Sequence, residues 1–506
     1  MINTDWKKLQ NGSDIRGVAI DGIKGEPVNL SPEAAQQLGA SFAEWLRKMY
    51  PHEPELSVSI GMDSRISGVA LKNAVTNGLL QQGINVVDFG LASTPAMFMS
   101  AILGDKPMNA GVMLTASHLP FNRNGLKFFT RNGGLDKPDI TAILDIAAHS
   151  SFPQRERGKQ SAVDFMATYA QYFVTMVRQQ VNSPSHYNTP LKGLKIVVDA
   201  GNGAGGFYAT KVLEPLGADI SASQFLEPDG MFPNHVPNPE DTAAMASIIE
   251  KVKESKADLG VIFDTDVDRS ALVGEAGVSI NRNVLIALIS AVILDEHPGS
   301  TIVTDSITSN GLTWFINKHL KGRHLRFKRG YKNVINEAIR LNETGSPCWL
   351  AIETSGHAAL KENRFLDDGA YLATKLIITL ARLKQTGKNL VSLINELPMP
   401  HESCEYRINI NTPDFKSYGE KVIADLAEFV KNSKEWSIAP DNFEGIRVNC
   451  NSENQNGWFL LRLSLHDPVI PLNVESDIEG GVSSIVSELI VFFTEYDKLN
   501  TDILWT

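Results

Sequence analysis

Three apolar segments of the chain each run directly into a loop rich in polar side chains. They read GVMLTASH at residues 111–118, DLGVIFDTDVDR at 258–269 and PCWLAIETSGH at 347–357. Such a pattern is typical of buried strands, and α/β sheets bind their ligands at the carboxyl ends of strands. The three loops therefore predict an α/β protein in which several domains contribute to one cleft.

The length and the periodicity of the chain indicate several domains. A chain of 506 residues is too long for one hydrophobic core. Helix and strand patterns alternate up to about residue 400, and short strands joined by turns follow, with long helices beside them. We predict three similar mixed α/β domains and a smaller C-terminal antiparallel α+β domain around one central cleft, with boundaries 1–160, 161–281, 282–399 and 400–506.

Charge and composition exclude several classes of partner. The net charge of -11 argues against binding to a nucleic-acid backbone. No uncharged apolar stretch is long enough to cross a membrane, and the N-terminus lacks the apolar core of a signal peptide. Cys348, Cys404 and Cys450 are far apart and odd in number, as expected in a reducing cytoplasm. We expect a cytoplasmic protein without nucleic-acid or membrane partners.

The loop FDTDVDR places three carboxylates at alternate positions, Asp264, Asp266 and Asp268. In an extended loop they can turn toward one point, where their charges need a cation such as Mg²⁺ or Ca²⁺. A solvated acidic turn is the plainer alternative. An EF-hand is disfavoured, because Arg269 stands where the turn needs glycine and strands flank the loop.

The segment DAGNGAGG matches the glycine pattern of a dinucleotide site, with Gly201, Gly203 and Gly206 after a strand and Glu227 about 20 residues on. The rigid Pro/Asn-rich stretch EPDGMFPNHVPNPE follows where a dinucleotide fold would continue with a helix. We therefore predict a structural turn from strand to helix.

The segment TASHLPFNRNGLKFF contains Ser117, His118 and Lys127. A serine hydrolase is disfavoured, because neighbouring side chains on a strand point apart and the nucleophile-elbow pattern is absent. A serine that accepts a phosphoryl group fits better, because the acidic loop can hold Mg²⁺ against the phosphate charge. The loop ETSGH adds Glu353, Ser355 and His357, which suit sugar hydroxyls but can equally be structural.

In order along the chain, TASH, DTDVDR and ETSGH resemble the active-site loops of the α-D-phosphohexomutase superfamily. DIRG at 14–17, ETSGHAALKENRFLDDGAY at 353–371 and GWFLLRLSLHDP at 457–468 resemble it too. The resemblance covers nearly the whole chain. It implies three related α/β domains with a smaller fourth, and it treats the glycine loop and FPNHVPNPE as structural features.

The resemblance also implies a role for each matching residue. It makes Ser117 the phosphoserine, and Asp264, Asp266 and Asp268 the Mg²⁺ ligands together with Ser117. The other catalytic residues that it implies are Arg16, Arg269, Lys127 as general base or acid, and His118 beside the nucleophile. The substrate-binding residues that it implies are Glu353, Ser355 and His357 for the sugar, and Arg462, Ser464 and His466 for the distal phosphate.

Two departures from the family pattern bear on specificity. Leu119 follows the histidine of the serine loop where asparagine is frequent, and Leu465 and His466 replace neutral hydrogen-bonding residues of the phosphate loop. This variant most resembles the branch that makes α-D-glucose 1,6-bisphosphate with fructose 1,6-bisphosphate as donor and glucose 1- or 6-phosphate as acceptor.

The alternatives are a phosphoglucomutase/phosphomannomutase, then a phosphoglucosamine mutase, and from another class a catalytically silent sugar-phosphate sensor. We expect Mg²⁺ as cofactor, hexose phosphates and bisphosphates as partners, and a monomer or homodimer.

Overall fold

The structure is a computed structural model that describes residues 4–104, 106–149, 151–464 and 467–505. The chain forms two compact units. The first comprises Met1–Arg282, Ser355–Ala359 and Leu366–Val391, and the second comprises Asn283–Thr354, Leu360–Phe365 and Ser392–Thr506. The boundaries of the four predicted domains stay a prediction.

The N-terminal part of the first unit is built on a mixed sheet whose central strand, Ala110–Leu114, is buried at every residue. That strand runs parallel to its neighbour on one side and antiparallel to Arg123–Thr130 on the other. The strands follow one another in the order Gln10–Asn11, Asp14–Val18, Arg123–Thr130, Ala110–Leu114, Ser57–Met62, Asn85–Leu91 and Gln160–Ala162, and Gly133–Gly134 pairs with Arg123–Thr130. The arrangement places the TASH loop at the carboxyl end of the central strand.

A second mixed sheet of the first unit carries the acidic loop. Leu259–Phe263 runs parallel to Ile196–Asp199 and antiparallel to Ser270–Gly274, which in turn pairs with Val278–Ile280. Because Phe263 pairs with Ser270, the six residues 264–269 form a tight loop between two strands. The loop therefore has little freedom to spread its carboxylates apart.

The second unit contains two sheets of different kinds. Thr301–Asp305 runs parallel to both Arg323–Phe327 and Cys348–Ile352. Neighbouring strands of the C-terminal sheet run antiparallel, in the order Trp436–Ile438, Ile446–Cys450, Gly457–Leu461, Val469–Ser476, Glu402–Ile410 and Leu499–Asn500. Two further short strands, Ala358–Leu360 and Leu366–Asp367, belong to the first unit except for Leu360. The predicted α/β class with an antiparallel C-terminal domain is confirmed.

Helices cover these sheets. In the first unit they are Pro32–Met49, Gly68–Gln81, Thr94–Met99, Lys137–His149, Phe165–Val181, Thr242–Ser255 and Gly369–Lys384. Arg282–Glu296, Asn310–Trp314, Tyr331–Glu343, Phe415–Lys431 and Gly481–Phe493 follow, all but Arg282 in the second unit. The hydroxyl of Ser31 accepts a hydrogen bond from the Ala34 amide and caps the first helix. Within the described ranges, no helix is long and apolar enough to span a membrane.

Candidate active site

The serine loop holds Ser117 in an unusual backbone conformation. Ser117 has a φ of 52°, in the left-handed region that costs a non-glycine residue free energy. Its amide donates to the hydroxyl of Thr115 at 2.9 Å, and the residue is 4% exposed. A strained, buried serine at a strand end is held by its surroundings, which is a common feature of active sites.

A buried arginine, Arg65, fixes much of the backbone around Ser117. The guanidinium of Arg65 donates to the carbonyl oxygens of Pro120 at 2.7 Å, Arg123 at 3.0 Å and Leu119 at 2.6 Å, and also to the carbonyl of Ser117. Its Nε lies 3.3 Å from the carboxylate of Asp63. The planar fork of one arginine thus fixes the whole turn that follows Ser117.

The acidic loop brings its three carboxylates together. Asp264, Asp266 and Asp268 are buried, and one oxygen of each lies within 4.8 Å of the others. Val267 turns the chain between them with a φ of 67°. The glycine-rich turn packs directly against this loop, because the Ala204 amide donates to the carbonyl of Thr265 at 2.8 Å.

Gly203 explains the glycine pattern in this place. A Cβ at Gly203 would lie 2.6 Å from the carbonyl oxygen of Thr265, so only glycine allows the two loops to approach. The turn therefore supports the acidic loop, as the structural interpretation of the glycine pattern predicts.

The carboxylates of the acidic loop fit a hard cation. Burial, followed by Asp268 and Asp266, raises the pKa of Asp264 well above its ordinary value. Oδ1 of Asp266 and Oδ1 of Asp268 are buried and accept no hydrogen bond from any described residue. Clustered carboxylate oxygens are the ligands that Mg²⁺ and Ca²⁺ prefer, so a divalent ion here would relieve both the desolvation and the repulsion.

Lys127 neutralises part of this charge. It lies on the strand beside the serine strand, where Met113 pairs with it. Its Nζ donates to Asp266 at 3.0 Å and to Asp268 at 2.5 Å. Burial opposes ionisation of Asp268, but Lys127, with His357 and Arg269, outweighs it and lowers the pKa of Asp268.

Arg269 joins the acidic loop to the serine. Its Nη2 donates to Oγ of Ser117 at 3.0 Å, and its Nε donates to Oδ2 of Asp264 at 3.1 Å. The hydroxyl of Ser117 in turn donates to the same Asp264 oxygen at 3.0 Å. The two loops predicted to share a site therefore meet at Oγ of Ser117, between a carboxylate and a guanidinium.

His118 lies closer to Ser117 than the strand argument predicts. The strand ends at Leu114, and the left-handed turn at Ser117 brings its Oγ to 3.4 Å from Nδ1 of His118. Burial, then Arg269 and Arg16, lower the pKa of His118 to about 3. Nδ1 of the neutral ring accepts a hydrogen bond from Arg269 at 2.6 Å, so His118 orients Arg269.

Arg16 and His357 complete the cluster of the first unit. Arg16 binds Asp14 at 2.8 Å and carries one of the charges that lower the pKa of His118. Nδ1 of His357 pairs with Asp367 and lies 3.9 Å from Asp268. Burial opposes the charged ring, but Asp367 and Asp268 outweigh it and raise the pKa of His357 to about 9.

The remaining predicted residues are distributed as follows. Ser355 lies in the first unit, and its buried hydroxyl has no hydrogen-bond partner among the described residues. Glu353, Arg462 and Ser464 belong to the second unit, and Glu353 accepts a hydrogen bond from the Gly330 amide at 2.7 Å. His466 lies outside the described residues.

Around Arg462 the second unit gathers positive charge. Burial, then the neighbouring Arg329, lowers the pKa of Arg462, whose Nε has no hydrogen-bond partner in the part of the chain that the structure describes. Arg329 lies 3.5 Å from Asp305, and its amide donates to Glu444 at 3.1 Å. Two neighbouring guanidinium groups in a desolvated place suit an anion such as phosphate.

Sequence reasoning missed several of these residues. Arg65 and Asp63 follow the strand Ser57–Met62, and the polar end of that strand marks a loop but does not show what either side chain contacts. Asp367 follows the ETSGH loop on a short strand, and Arg329 follows the strand Arg323–Phe327. Nothing in their local sequence distinguishes these residues from ordinary surface charges.

Comparison with known proteins agrees with this geometry. Three models of phosphoglucomutase/phosphomannomutase α/β/α domains match in order, domain I at residues 7–154, domain II at 170–277 and domain III at 281–400. A phosphomannomutase/phosphoglucomutase of Pseudomonas putida is 32% identical over 476 residues, which cover 94% of each chain. A phosphoglucomutase of Neisseria meningitidis is 28% identical over 488 residues, 96% of this chain and 97% of its own.

A crystal structure gives the same result. A phosphoglucomutase/phosphomannomutase family protein from Burkholderia thailandensis superposes with a TM-score of 0.78 at 27% identity, over 97% of both chains. Sequence and fold thus agree over nearly the full length, and the chain belongs to the phosphoglucomutase/phosphomannomutase family of the α-D-phosphohexomutase superfamily and is an enzyme of that family.

Proposed function

We propose that the protein interconverts the 1- and 6-phosphates of glucose and mannose through a phosphoryl group carried by Ser117. The observation that supports this most directly is the position of its hydroxyl, 3.0 Å from both Asp264 and Arg269. The names of the relatives from Pseudomonas and Neisseria favour the same reaction. Phosphoryl transfer depends mainly on alignment and charge neutralisation, which this arrangement provides.

The cation in the acidic loop is Mg²⁺ in this proposal, held by Asp264, Asp266, Asp268 and Ser117. When bound, it supplies a charge that stabilises the negative oxygens of the transferring group. Two observations support this assignment: the carboxylates of a tight loop converge, and two of their buried oxygens accept no hydrogen bond from a described residue. Lys127 holds Asp266 and Asp268 in place from the neighbouring strand.

The residues of the chain divide the rest of the work. Ser117 Oγ attacks the phosphorus of a sugar bisphosphate and the P–O bond to the sugar breaks. The proton released by the Ser117 hydroxyl ends on the sugar oxygen, with Lys127 as the proposed general base or acid. Arg269 orients Oγ for attack, and its positive charge stabilises the negative phosphoryl oxygens. His357, protonated at neutral pH by its raised pKa of about 9, is a cationic donor beside Asp268.

An enzyme that acts on a hexose bisphosphate also needs a binding site for the second phosphate. Arg462, which sequence reasoning proposed for this role together with Ser464 and His466, has Arg329 as a neighbouring second cation in the second unit. Glu353 and Ser355 are the proposed contacts of the sugar hydroxyls. The lowered pKa of Arg462 beside a second guanidinium is consistent with a site that gains stability when an anion binds.

Phosphorus-31 NMR tests the proposal directly. Purified protein is mixed with glucose 1-phosphate or mannose 1-phosphate, Mg²⁺ and a catalytic amount of glucose 1,6-bisphosphate. We expect conversion to the 6-phosphates and a phosphate ester on Ser117 by intact mass. Conversion that continues in Ser117→Ala would contradict the proposal.

A second candidate is net synthesis of glucose 1,6-bisphosphate from fructose 1,6-bisphosphate and a glucose phosphate. The sequence of the phosphate loop favours it, since Leu465 and His466 replace hydrogen-bonding residues of the family pattern. The same NMR experiment separates the two. Bisphosphate that accumulates when fructose 1,6-bisphosphate is added indicates the synthase, and rapid isomerisation without net gain indicates the mutase.

A further inference from the structure

The Pro/Asn-rich segment at residues 227–240 lies against both arginines that surround Ser117. The ring of Phe232 lies 5.3 Å from the guanidinium carbon of Arg65. Oδ1 of Asn238 accepts a hydrogen bond from Nη1 of Arg269 at 3.2 Å. At Gly230 a Cβ would lie 2.5 Å from the carbonyl oxygen of Ser64, so the segment passes in close contact with the chain beside Arg65.

His235 is the charged anchor of this segment. Its side chain is 3% exposed, and its Nε2 lies 3.0 and 3.1 Å from the two carboxylate oxygens of Asp199. Its Nδ1 lies 2.9 Å from the carbonyl oxygen of Val236. Because both ring nitrogens face acceptors that carry no hydrogen, the geometry needs a hydrogen on each, which is the imidazolium form.

Asp199, the partner of His235, is also held firmly in place. The carboxylate is fully buried, and it also accepts hydrogen bonds from the Gly201 amide at 2.9 Å and from the Gln224 amide group at 2.7 Å. A buried carboxylate that loses its cationic partner keeps an uncompensated charge, which is strongly unfavourable. The segment is therefore fixed at His235 as long as the ring holds both protons.

A continuous chain of contacts leads from His235 to the serine. The Val236 carbonyl that accepts from His235 also accepts from the Asn238 amide at 2.8 Å. Asn238 in turn binds Arg269, whose other terminal nitrogen donates to Oγ of Ser117 at 3.0 Å. Each step is a hydrogen bond between described residues of the first unit.

We propose that the imidazolium of His235 is a positioning residue for phosphoryl transfer, which fixes residues 227–240 on Asp199 and so holds Arg269 in register with Ser117. The inference rests on the proposed function, in which Ser117 carries the phosphoryl group. His235 itself touches no reacting atom. Its effect passes through Val236, Asn238 and Arg269.

The arrangement makes this hold dependent on pH. The charged groups that face His235 are Asp199, from the strand Ile196–Asp199, and Asp241, at the start of the helix Thr242–Ser255. Burial opposes the charged ring, but the Asp199 contact, the Val236 carbonyl and Asp241 outweigh it and raise the pKa of His235. The stabilisation is fully present below the ordinary histidine pKa and is lost as pH rises through the raised value.

The kinetic test compares His235→Gln with the wild type from pH 6 to pH 10. We expect kcat at pH 7 to fall about tenfold, because small misplacement of an aligning group is costly, with KM within about twofold. The ratio of wild-type to variant kcat should approach one at high pH, where the wild-type ring is neutral. A ratio that stays constant with pH, or an unchanged kcat, would overturn the proposal.

Two variants make the test specific. Asp199→Asn removes the partner of His235, and the double variant should lose no more activity than either single variant. His186→Gln is the matched control, because His186 is an exposed histidine of the same unit outside this network. Its pH profile should match that of the wild type, and an equal loss in His186→Gln would remove the basis for the assignment.

Two measurements on the free protein do not depend on turnover. Nitrogen-15 NMR of wild-type protein should show His235 doubly protonated at pH 7, and a neutral ring would overturn the proposal. Hydrogen-exchange protection of residues 227–240 should fall with rising pH in the wild type and be low at all pH values in His235→Gln. A protein inactive on every hexose phosphate would refute the proposed function, whereas these measurements would still decide whether the imidazolium of His235 fixes residues 227–240.

Discussion

Two groups of residues bury charge of opposite sign. The charge cluster around Ser117 in the first unit is built on Asp264, Asp266 and Asp268, and the arginine cluster of the second unit consists of Arg326, Arg447 and Arg462. In the first, burial and mutual repulsion raise the pKa of Asp264 well above its ordinary value. In the second, burial lowers the pKa of Arg326 to about 10 and lowers the pKa of Arg447 and Arg462 as well. By charge alone, the first cluster suits a cation and the second suits an anion.

The arginines of the second unit divide further into two kinds. Arg447 lies 3.5 Å over the ring of Trp458 and donates to the Ser306 carbonyl at 2.8 Å, and Arg326 donates to the Ser309 carbonyl at 2.8 Å. Arg447 and Arg462 each keep a buried Nε without a hydrogen-bond partner among the described residues. Arg447 and Arg326 hold the fold through the backbone carbonyls that their terminal nitrogens bind, whereas Arg462 lies beside a second guanidinium, Arg329, an arrangement that suits an anionic ligand.

The largest expected effect comes from the nucleophile of the first cluster. Ser117→Ala should reduce kcat by about 10⁴-fold or more, because no other group occupies the position of Oγ. Its thermal unfolding should change little, since alanine removes only the hydroxyl contacts. Stopped assays and calorimetry measure the two effects.

Ser355→Ala is the matched control for that substitution. Ser355 is a second buried serine of the first unit, and its hydroxyl has no hydrogen-bond partner among the described residues. We expect a much smaller loss of kcat, with any effect in KM if Ser355 contacts the sugar. Equal losses in the two variants would contradict the assignment of Ser117 as nucleophile.

The next effect tests whether the first cluster needs a cation. Asp266→Asn should reduce Mg²⁺ affinity and cut kcat by about 10²-fold, which corresponds to a few kcal/mol of transition-state stabilisation. Isothermal titration with Mg²⁺ and steady-state rates measure both. Asp88→Asn is the control, because Asp88 pairs with Lys72 away from the acidic loop. Full activity of wild type in EDTA would disprove the cation requirement.

The buried pair Asp63–Arg65 tests how the stability of the first unit depends on pH. Burial raises the pKa of Asp63 to about 6, although Arg65 opposes the shift. The folded protein therefore binds this proton more tightly than the unfolded chain. The resulting stabilisation is complete below about pH 4 and is lost as pH rises through 6.

Asp63→Asn should remove that pH dependence. We expect the free energy of unfolding of the wild type to lose about 2 kcal/mol between pH 4 and pH 7 relative to the variant. Urea titrations at several pH values measure the difference. Parallel stability curves for the two proteins would show that Asp63 does not titrate in this range.

The sequence pattern predicted those features that depend on residues close together along the chain. Strands that end in polar loops gave the α/β class, and alternate positions gave the convergence of Asp264, Asp266 and Asp268. Arg65 could not be found this way, because its role depends on carbonyl groups more than 50 residues further along the chain. The left-handed turn at Ser117 was equally hidden, since serine has no preference for that conformation.

Chain reversal explains the other misses. Asp367 meets His357 only because the chain returns between them, and Arg329 meets Arg462 across a long stretch of sequence. Residues that act through such distant contacts carry no local signal. The glycine turn shows the opposite case, because its sequence pattern is compatible with two functions and only the close approach of Gly203 to Thr265 distinguishes them.

The smallest expected effect decides whether Arg462 binds the ligand or stabilises the fold. Arg462→Ala should raise KM for hexose phosphates about tenfold, the usual worth of a charge-assisted hydrogen bond to phosphate, with kcat changed less. Arg323→Ala is the matched control, since Arg323 is an exposed arginine of the strand Arg323–Phe327 in the same unit. Arg447→Met should instead lower the melting temperature, because Arg447 supports Trp458 and a backbone carbonyl. If Arg462→Ala lowered the melting temperature and left KM unchanged, Arg462 would join Arg447 among the structural arginines, and the anion of the second unit would have to bind elsewhere.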